Sequence, residues 1–386
     1  TSLGHEVLHN WWGNGVYPDY ATGNWSEGLT TFMADHAYRE QAAPEAAREL
    51  RLGWLRDLAA LGAAQDRPMR EFTSRVHGSD QVVGYHKAAI LFLMLRDAIG
   101  SDAFDRGLRA FWVAHRGSIA SWEDLRAAFE RASQRDLAAF FAQWLDRSGV
   151  PNLRLETATA VKAATGWRID FTLSQDRPTY QLRVPVAVQT GPEQRVHWVE
   201  FDRERATFTL RTVQPPQSIT LDPDARLLRR LAPGEAPPIL RRVMLDPTTV
   251  TVLAGAADAG KALAQRVVEH PLQLRSTEAP LTAAPLLLVG LEREVNRYLA
   301  RHGLPPRPAE LGATHDRATA WVWTATRTTG EPVTVVSARD ATALAALGRP
   351  LPHYGRQSWL VFEGGTATAR GTWPSRPQSI RLDAAR

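Results

Sequence analysis

The sequence predicts a multidomain chain of α and β structure: a helical segment, then a β-sandwich, then an α/β layer with a mainly parallel sheet. Its 386 residues, 44% hydrophobic and 23% charged, are too many for one ordinary domain and apolar enough to fill several cores. Hydrophobic spacing follows a helical period to about residue 150, then alternates with period two, then turns into apolar runs separated by helical stretches. Breaks fall at Gly149-Val150-Pro151 and at the proline-rich link 232–238, which divides the chain into 1–150, 151–231 and 239–386.

In the first segment Ile90, Leu91, Met94 and Leu95 keep the helical period, and Gly100 stops that run as a C-cap. Ser121 and Asp124 form a capping box ahead of Leu125, Ala128 and Phe129, and further helices are implied around 45–61 and 135–146. In the second, Trp167, Ile169, Phe171 and Leu173 alternate with polar residues, Leu182, Val184, Val186 and Val188 repeat the pattern, and Phe208 and Leu210 begin another strand. In the third, 250–253, 286–289, 333–336 and 359–362 read as buried strands with helices between them.

Composition narrows the chemistry. With no cysteine, any metal site must use His, Asp or Glu, and disulfides, thiolate clusters and a cysteine nucleophile are excluded. No apolar run approaches the 18 or more residues that span a bilayer. The formal charge is +5, but the 46 basic residues are spread along the chain among 41 acids, which reads as a solvated surface and not as a nucleic-acid stripe.

The informative residues are His5-Glu6-Val7-Leu8-His9. On a helix, positions i and i+4 share a face, so both imidazoles can bind one zinc ion with Glu6 beside it. Such a motif arises by chance in roughly one or two per cent of chains this size, so a third ligand is needed. Glu27, in Asn24-Trp25-Ser26-Glu27-Gly28, opens the next helical stretch and supplies a carboxylate. Three protein ligands leave a position for water, whose pKa an open zinc site lowers to about 7.

His5, Glu6 and His9, followed by Trp11, Gly13 and Asn14 and then by Glu27-Gly28, resemble the zinc signature of the gluzincin aminopeptidases, the family of aminopeptidase N and leukotriene hydrolase. The resemblance implies a helical zinc-metallopeptidase domain of thermolysin-like fold, one Zn2+ held by His5, His9 and Glu27, and Glu6 as general base. The loop before Glu27 is one residue shorter than the family usually has, read as a trim near Gly23. Family members often carry a glutamate seven residues after the ligand; here Ala34 stands there, and Asp35 is the residue that could orient a ligand histidine.

Tyr85-His86-Lys87-Ala88-Ala89 resembles the family's Y-x-K-G-A segment and implies that Tyr85 donates to the oxyanion of the tetrahedral intermediate. Lys87 reads as a snorkelling surface lysine or the partner of an acid near the site, and Trp11 and Trp25 as walls of a cleft. The implied substrate is a peptide or protein, cleaved at its N-terminal bond. The family's amine-anchoring G-A-M-E-N motif is absent from this sequence, so its residues account for amide hydrolysis and not for recognition of a free N-terminus. The motif begins at residue 5, which predicts the C-terminal part of a longer protein; the compartment is not legible, with a bacterial cell envelope or periplasm as the expectation.

Two other readings compete. One is a non-catalytic, peptide-binding or scaffold descendant of the same fold. The other is nucleotide binding in the last segment, where 255–262 nearly spells a phosphate-cradling loop, with Ala262 where a hydroxyl residue would hold magnesium.

Overall fold

A computed structural model of the chain describes residues 3–62, 65–311 and 317–382. They divide into two compact units, one of 3–59, 65–235 and 376–382, the other of 60–62 and 236–375.

The first unit opens with α1 (Leu3–Leu8) and the short strand β1 (Tyr17–Pro18). A continuous helical rod follows: α2 (Ser26–Thr30), a π turn (Thr31–His36) and α3 (Ala37–Ala42), before α4 (Pro44–Ala59). A second rod has the same construction: α5 (Gly78–Gln81), a π turn (Val82–Lys87) and α6 (Ala88–Ile99). Gly100, at φ +86°, ends it, because only glycine takes that conformation without a Cβ penalty. Then come α7 (Ser101–His115), β2 (Ile119–Ala120), which pairs with β1 in parallel, α8 (Trp122–Ser133) and α9 (Ala138–Leu145). The Ser121 and Asp124 capping box is present, with each residue accepting the other's backbone N–H.

Aromatic packing holds these helices. Trp25 is fully buried between Trp12 and Phe111, and its Nε1 donates to Ala120 O at 2.8 Å, which ties α2 to β2. Trp25 is therefore core and not a cleft wall, whereas Trp11 is 44% exposed.

The same unit contains two antiparallel sheets. One orders β3 (Leu153–Ala163), β4 (Gly166–Gln175) and β7 (Arg205–Thr212) side by side. The other contains β5 (Leu182–Thr190), β6 (Glu193–Phe201), β8 (Ser218–Leu221) and the last strand of the chain, Ser379–Arg381, which pairs with β8. Phe201 of the second sheet meets Phe208 of the first edge to face at 6.0 Å. Residues 376–382 therefore pack with the sandwich, although the sequence reading placed them with the α/β segment. Gln378 anchors them by donating to Leu153 O and Glu235.

The second unit is a helix-flanked sheet. It contains α10 (Arg241–Leu245), β9 (Val250–Ala254), α11 (Ala257–Val267), β10 (Gln273–Arg275), β11 (Leu286–Leu291), α12 (Glu292–Arg301), β12 (Ala320–Thr326), β13 (Pro332–Ala338), α13 (Ala341–Ala346), β14 (Trp359–Glu363) and β15 (Thr366–Gly371). The strand order is β10-β9-β11-β13-β12-β14-β15. Leu287 and Val289 face α11 and α13, while Leu286 and Leu288 face α12, so β11 is apolar on both sides.

The expected mainly parallel sheet is in fact mixed: three neighbour pairings are parallel and three antiparallel. The sequence reading missed β12, whose hairpin with β13 turns through Gly330 and makes the strands from there to the sheet edge alternate in direction. The nucleotide reading also fails. Gly255 and Ala256 make the turn, α11 begins at Ala257, and Gly260 and Lys261 lie inside the helix. A Cβ on Gly260 would stand 3.3 Å from Leu253, so that glycine serves helix-to-strand packing and cradles no phosphate.

Candidate metal centre

His5 lies on α1 and His9 one turn on, where its N–H still reaches His5 O. Their ring centroids are 4.9 Å apart and nearly perpendicular. The chain then turns at Gly13, whose φ of +124° favours glycine, and a Cβ there would stand 3.2 Å from His9 Nδ1. That same nitrogen donates to Trp12 O at 2.9 Å. A carbonyl only accepts, so the proton sits on Nδ1 and Nε2 is left to face inward.

Glu27 arrives in the first turn of α2. Asn24 sets that start: its side-chain oxygen accepts from Ser26 N and Ser26 Oγ, and its amide donates to Thr73 O. Glu27 Oε2 lies 3.3 Å from Nε2 of both histidines. Gly28 follows because α2 and α6 touch: a Cβ there would sit 2.2 Å from Ala88 Cβ. This contact brings Glu27 and Tyr85 into one site.

Asp35 holds the other side of His5, with Oδ2 accepting from Nδ1 at 3.0 Å. In an uninterrupted α-helix, residue 34 would lie nearly in line with Glu27 and residue 35 about 80° away. The π turn over Thr31–His36 supplies the extra residue that rotates Asp35 toward His5 and leaves Ala34 buried.

Tyr85 sits in the second π turn, with its ring 6.1 Å from His5 and nearly parallel to it. Its hydroxyl donates to Glu27. Glu6, exposed on α1, is near enough for its charge to act on that hydroxyl. The two residues after Tyr85 are buried on separate carboxylates: His86 Nδ1 lies 3.3 Å from Asp57, and Lys87 Nζ 2.6 Å from Asp66. Lys87 is 1% exposed, so it is no snorkelling lysine. Asp66 also accepts from Gly149 N at 3.1 Å. The sequence reading missed both acids; a lysine opening the apolar run of α6 was the available signal for one of them.

The electrostatics of the cluster are mutual. Burial opposes charge on His5, but the carboxylates of Asp35 and Glu27 outweigh it and hold the imidazole up at about 9. His9 is raised chiefly by its bond to Glu27. Burial alone would push Glu27 up, yet its bonds to His5, His9 and Tyr85 bring it down to about 2. Burial and then the Glu27 charge raise Tyr85, which keeps its hydroxyl protonated at neutral pH.

Donor atoms of His5, His9 and Glu27 all lie within 4.8 Å of one another. Two inward imidazole nitrogens with their second nitrogens anchored, plus one carboxylate, fit the donor set of a zinc site that keeps a coordination position open.

Comparison with protein families matches residues 2–144 to the Peptidase family M1 domain. That match covers less than half of the chain, and it is these residues that resemble peptidase family M1. Aminopeptidase N of Haemophilus influenzae is 31% identical over 183 residues, 46% of this chain and 20% of that protein. Aminopeptidase N of Escherichia coli is 30% identical over 156 residues, 39% of this chain and 18% of that one. Among solved structures, Legionella pneumophila aminopeptidase A in complex with aspartic acid superposes at a TM-score of 0.44 and 20% identity, covering 62% of this chain and 27% of that chain. The chain thus spans about a fifth of the length of these aminopeptidase N relatives. The M1 match ends before the sandwich and the α/β unit. Among the described residues no helix is long and apolar enough to cross a membrane.

Proposed function

We propose that the protein is a zinc-dependent metallopeptidase of aminopeptidase type, acting on peptides at their N-terminal bond. The observation that carries this reading is the convergence of His5 Nε2 and His9 Nε2 on Glu27, with Tyr85 beside them. His5, His9 and Glu27 would hold the ion, and Asp35 fixes the His5 ring. Zinc, when bound, supplies the Lewis acidity that activates water and polarises a carbonyl. Glu6 takes the proton from the attacking water and passes it to the leaving amine. Tyr85, kept neutral by its surroundings, donates its hydroxyl hydrogen to the oxygen on which negative charge develops. The aminopeptidase specificity and the roles of Glu6 and Tyr85 follow the family resemblance, and the donor set follows the geometry of His5, His9 and Glu27.

The test is hydrolysis of aminoacyl reporter substrates by the intact protein, with and without a zinc chelator. Activity is expected to vanish with the chelator and return with added zinc. Glu6→Gln should keep one equivalent of zinc by elemental analysis and lose turnover, while Tyr85→Phe should lower kcat by about 10²-fold or more. Full activity in either variant removes that residue's role, and chelator-resistant hydrolysis removes the reading as a whole.

A further inference from the structure

Between the turn at Met69–Glu71 and α5 runs a short loop, residues 72–77, whose backbone is held at both ends. Phe72 is buried with its ring edge to face with Tyr85 at 6.0 Å, and a Cβ on Gly84, the residue before Tyr85, would run into it. Phe72 O accepts from Asn24 N at 2.7 Å and Thr73 O from Asn24 Nδ2 at 3.0 Å, so the asparagine that starts the Glu27 helix also holds this loop. At the other end Val76 N and His77 N both donate to Asp80 Oδ2, at 2.8 and 2.7 Å. The loop backbone is therefore fixed beside the turn that carries Tyr85.

Arg75 lies between these anchors. The other arginines of the segment are engaged on acids, Arg67 with Asp80 and Arg70 with Glu123 and Asp146. The Arg75 side chain is exposed and has neither an ion-pair partner nor a hydrogen-bond acceptor among the described residues. Its charge still reaches the candidate metal centre: burial and the Glu27 carboxylate raise Tyr85, and Arg75 is the cation that opposes them, acting on the hydroxyl more strongly than Glu6 does. The acids of the site leave this solvent-open guanidinium unmet, since Glu27 and Asp35 are bound to the histidines and Glu6 forms no pair with it. An open guanidinium takes a carboxylate through two parallel N–H bonds, which an ammonium cannot do. That carboxylate has to come from a molecule bound at the centre.

We propose that Arg75 is a specificity-determining residue that binds a carboxylate of the peptide substrate, supplied either by the C-terminus of a short peptide or by an acidic side chain. The proposal rests on the peptidase reading and deepens it, since a peptide placed against Tyr85 comes under the same positive charge, whereas a neutral peptide gains no ion pair from it.

The experiment compares three pairs of peptides on the zinc-loaded intact protein: Leu-Gly-Gly with its C-terminal amide, Leu-Glu-Gly-amide with Leu-Gln-Gly-amide, and Glu-Gly-Gly-amide with Gln-Gly-Gly-amide. The first pair isolates the C-terminal carboxylate and the other two an acidic side chain. In at least one pair the carboxylate member is expected to have about a threefold or higher kcat/KM at low ionic strength, through KM and not kcat, and the preference should fade as salt is added. Arg75→Gln should bring that ratio to about one, and Arg75→Lys should keep part of it. Arg75 is exposed and unpaired among the described residues, so both variants are expected to melt with the parent. The same pairs titrated calorimetrically into the zinc-loaded Glu6→Gln chain give the preference as a ratio of Kd, without turnover. A preference seen there while the parent hydrolyses nothing would sink the peptidase reading and keep the Arg75 site. Hydrolysis with no carboxylate preference in any pair overturns the Arg75 proposal alone, as does a preference that survives Arg75→Gln. Peptides that neither bind nor react overturn both.

Discussion

At the scale of the residue, the candidate metal centre is an arrangement of second partners as much as of candidate ligands. Each histidine presents Nε2 inward because its Nδ1 is already committed, His5 to Asp35 and His9 to the Trp12 carbonyl. Losing such an anchor frees the ring to rotate and weakens its basicity. Asp35→Ala is expected to lower zinc affinity by about 10- to 100-fold, as measured by competition with a chromogenic chelator. Unchanged affinity would show that burial alone orients the ring.

At the scale of the element, two helical rods with π turns set the positions of Asp35 and Tyr85. Their close approach depends on Gly28 against Ala88. Gly28→Ala forces two Cβ atoms together and is expected to cost about 1–3 kcal/mol in a denaturant titration, outweighing the better helix propensity of alanine. Adding Ala88→Gly should recover part of that loss; a neutral single substitution would show that the rods can separate freely.

The rods are also joined by Glu40 of α3 and Arg96 of α6, paired through both oxygens at 2.8 and 2.9 Å. Burial acts to raise Glu40, but Arg96 more than offsets it and the carboxyl ends below its ordinary value, with His36 and Arg226 nearby. A lowered folded-state pKa means that stability is present above the unfolded value of about 4.3 and is lost as pH falls through the depressed one. Glu40→Gln is expected to flatten that acid-side slope in melting curves taken from pH 6 downward, at about equal intervals. An unchanged slope would assign it to other carboxylates.

At the scale of the whole molecule, each unit closes by bringing distant parts of the sequence together. In the first, buried Arg229 pairs with Asp222 at 3.0 Å and with Glu235 at 2.8 Å, and Gln378 reaches the same Glu235 from the far end of the chain. Arg229→Met would strand two buried carboxylates and is expected to cost about 3–5 kcal/mol by chemical denaturation. A loss within the error of the measurement would mean that water enters and solvates the pair.

What could be read in advance followed locality. His5, Glu6 and His9 are joined by one helical turn, and Ser121 with Asp124 by one capping box, so spacing in the sequence already stated their geometry. The alternation at Ile169, Phe171 and Leu173 announced a strand for the same reason, but not its burial: Thr172 and Ser174, expected on the solvent face, are buried too. Periodicity is a property of neighbours along the chain.

The rest depended on pairings between distant residues. Lys87 looked like a surface charge until Asp66 enclosed it, Trp25 like a cleft wall until Phe111 buried it, and β12 was unread until it paired antiparallel with both β13 and β14. Gly260 and Lys261 spelled a phosphate loop until the helix was found to start before them. By itself the amino-acid order determined the kinds of element and the chemistry of the donor set, because both reside in short-range spacing. Tertiary structure alone decided which side chains are desolvated and which carboxylate meets which cation, because those depend on contacts that no local pattern encodes.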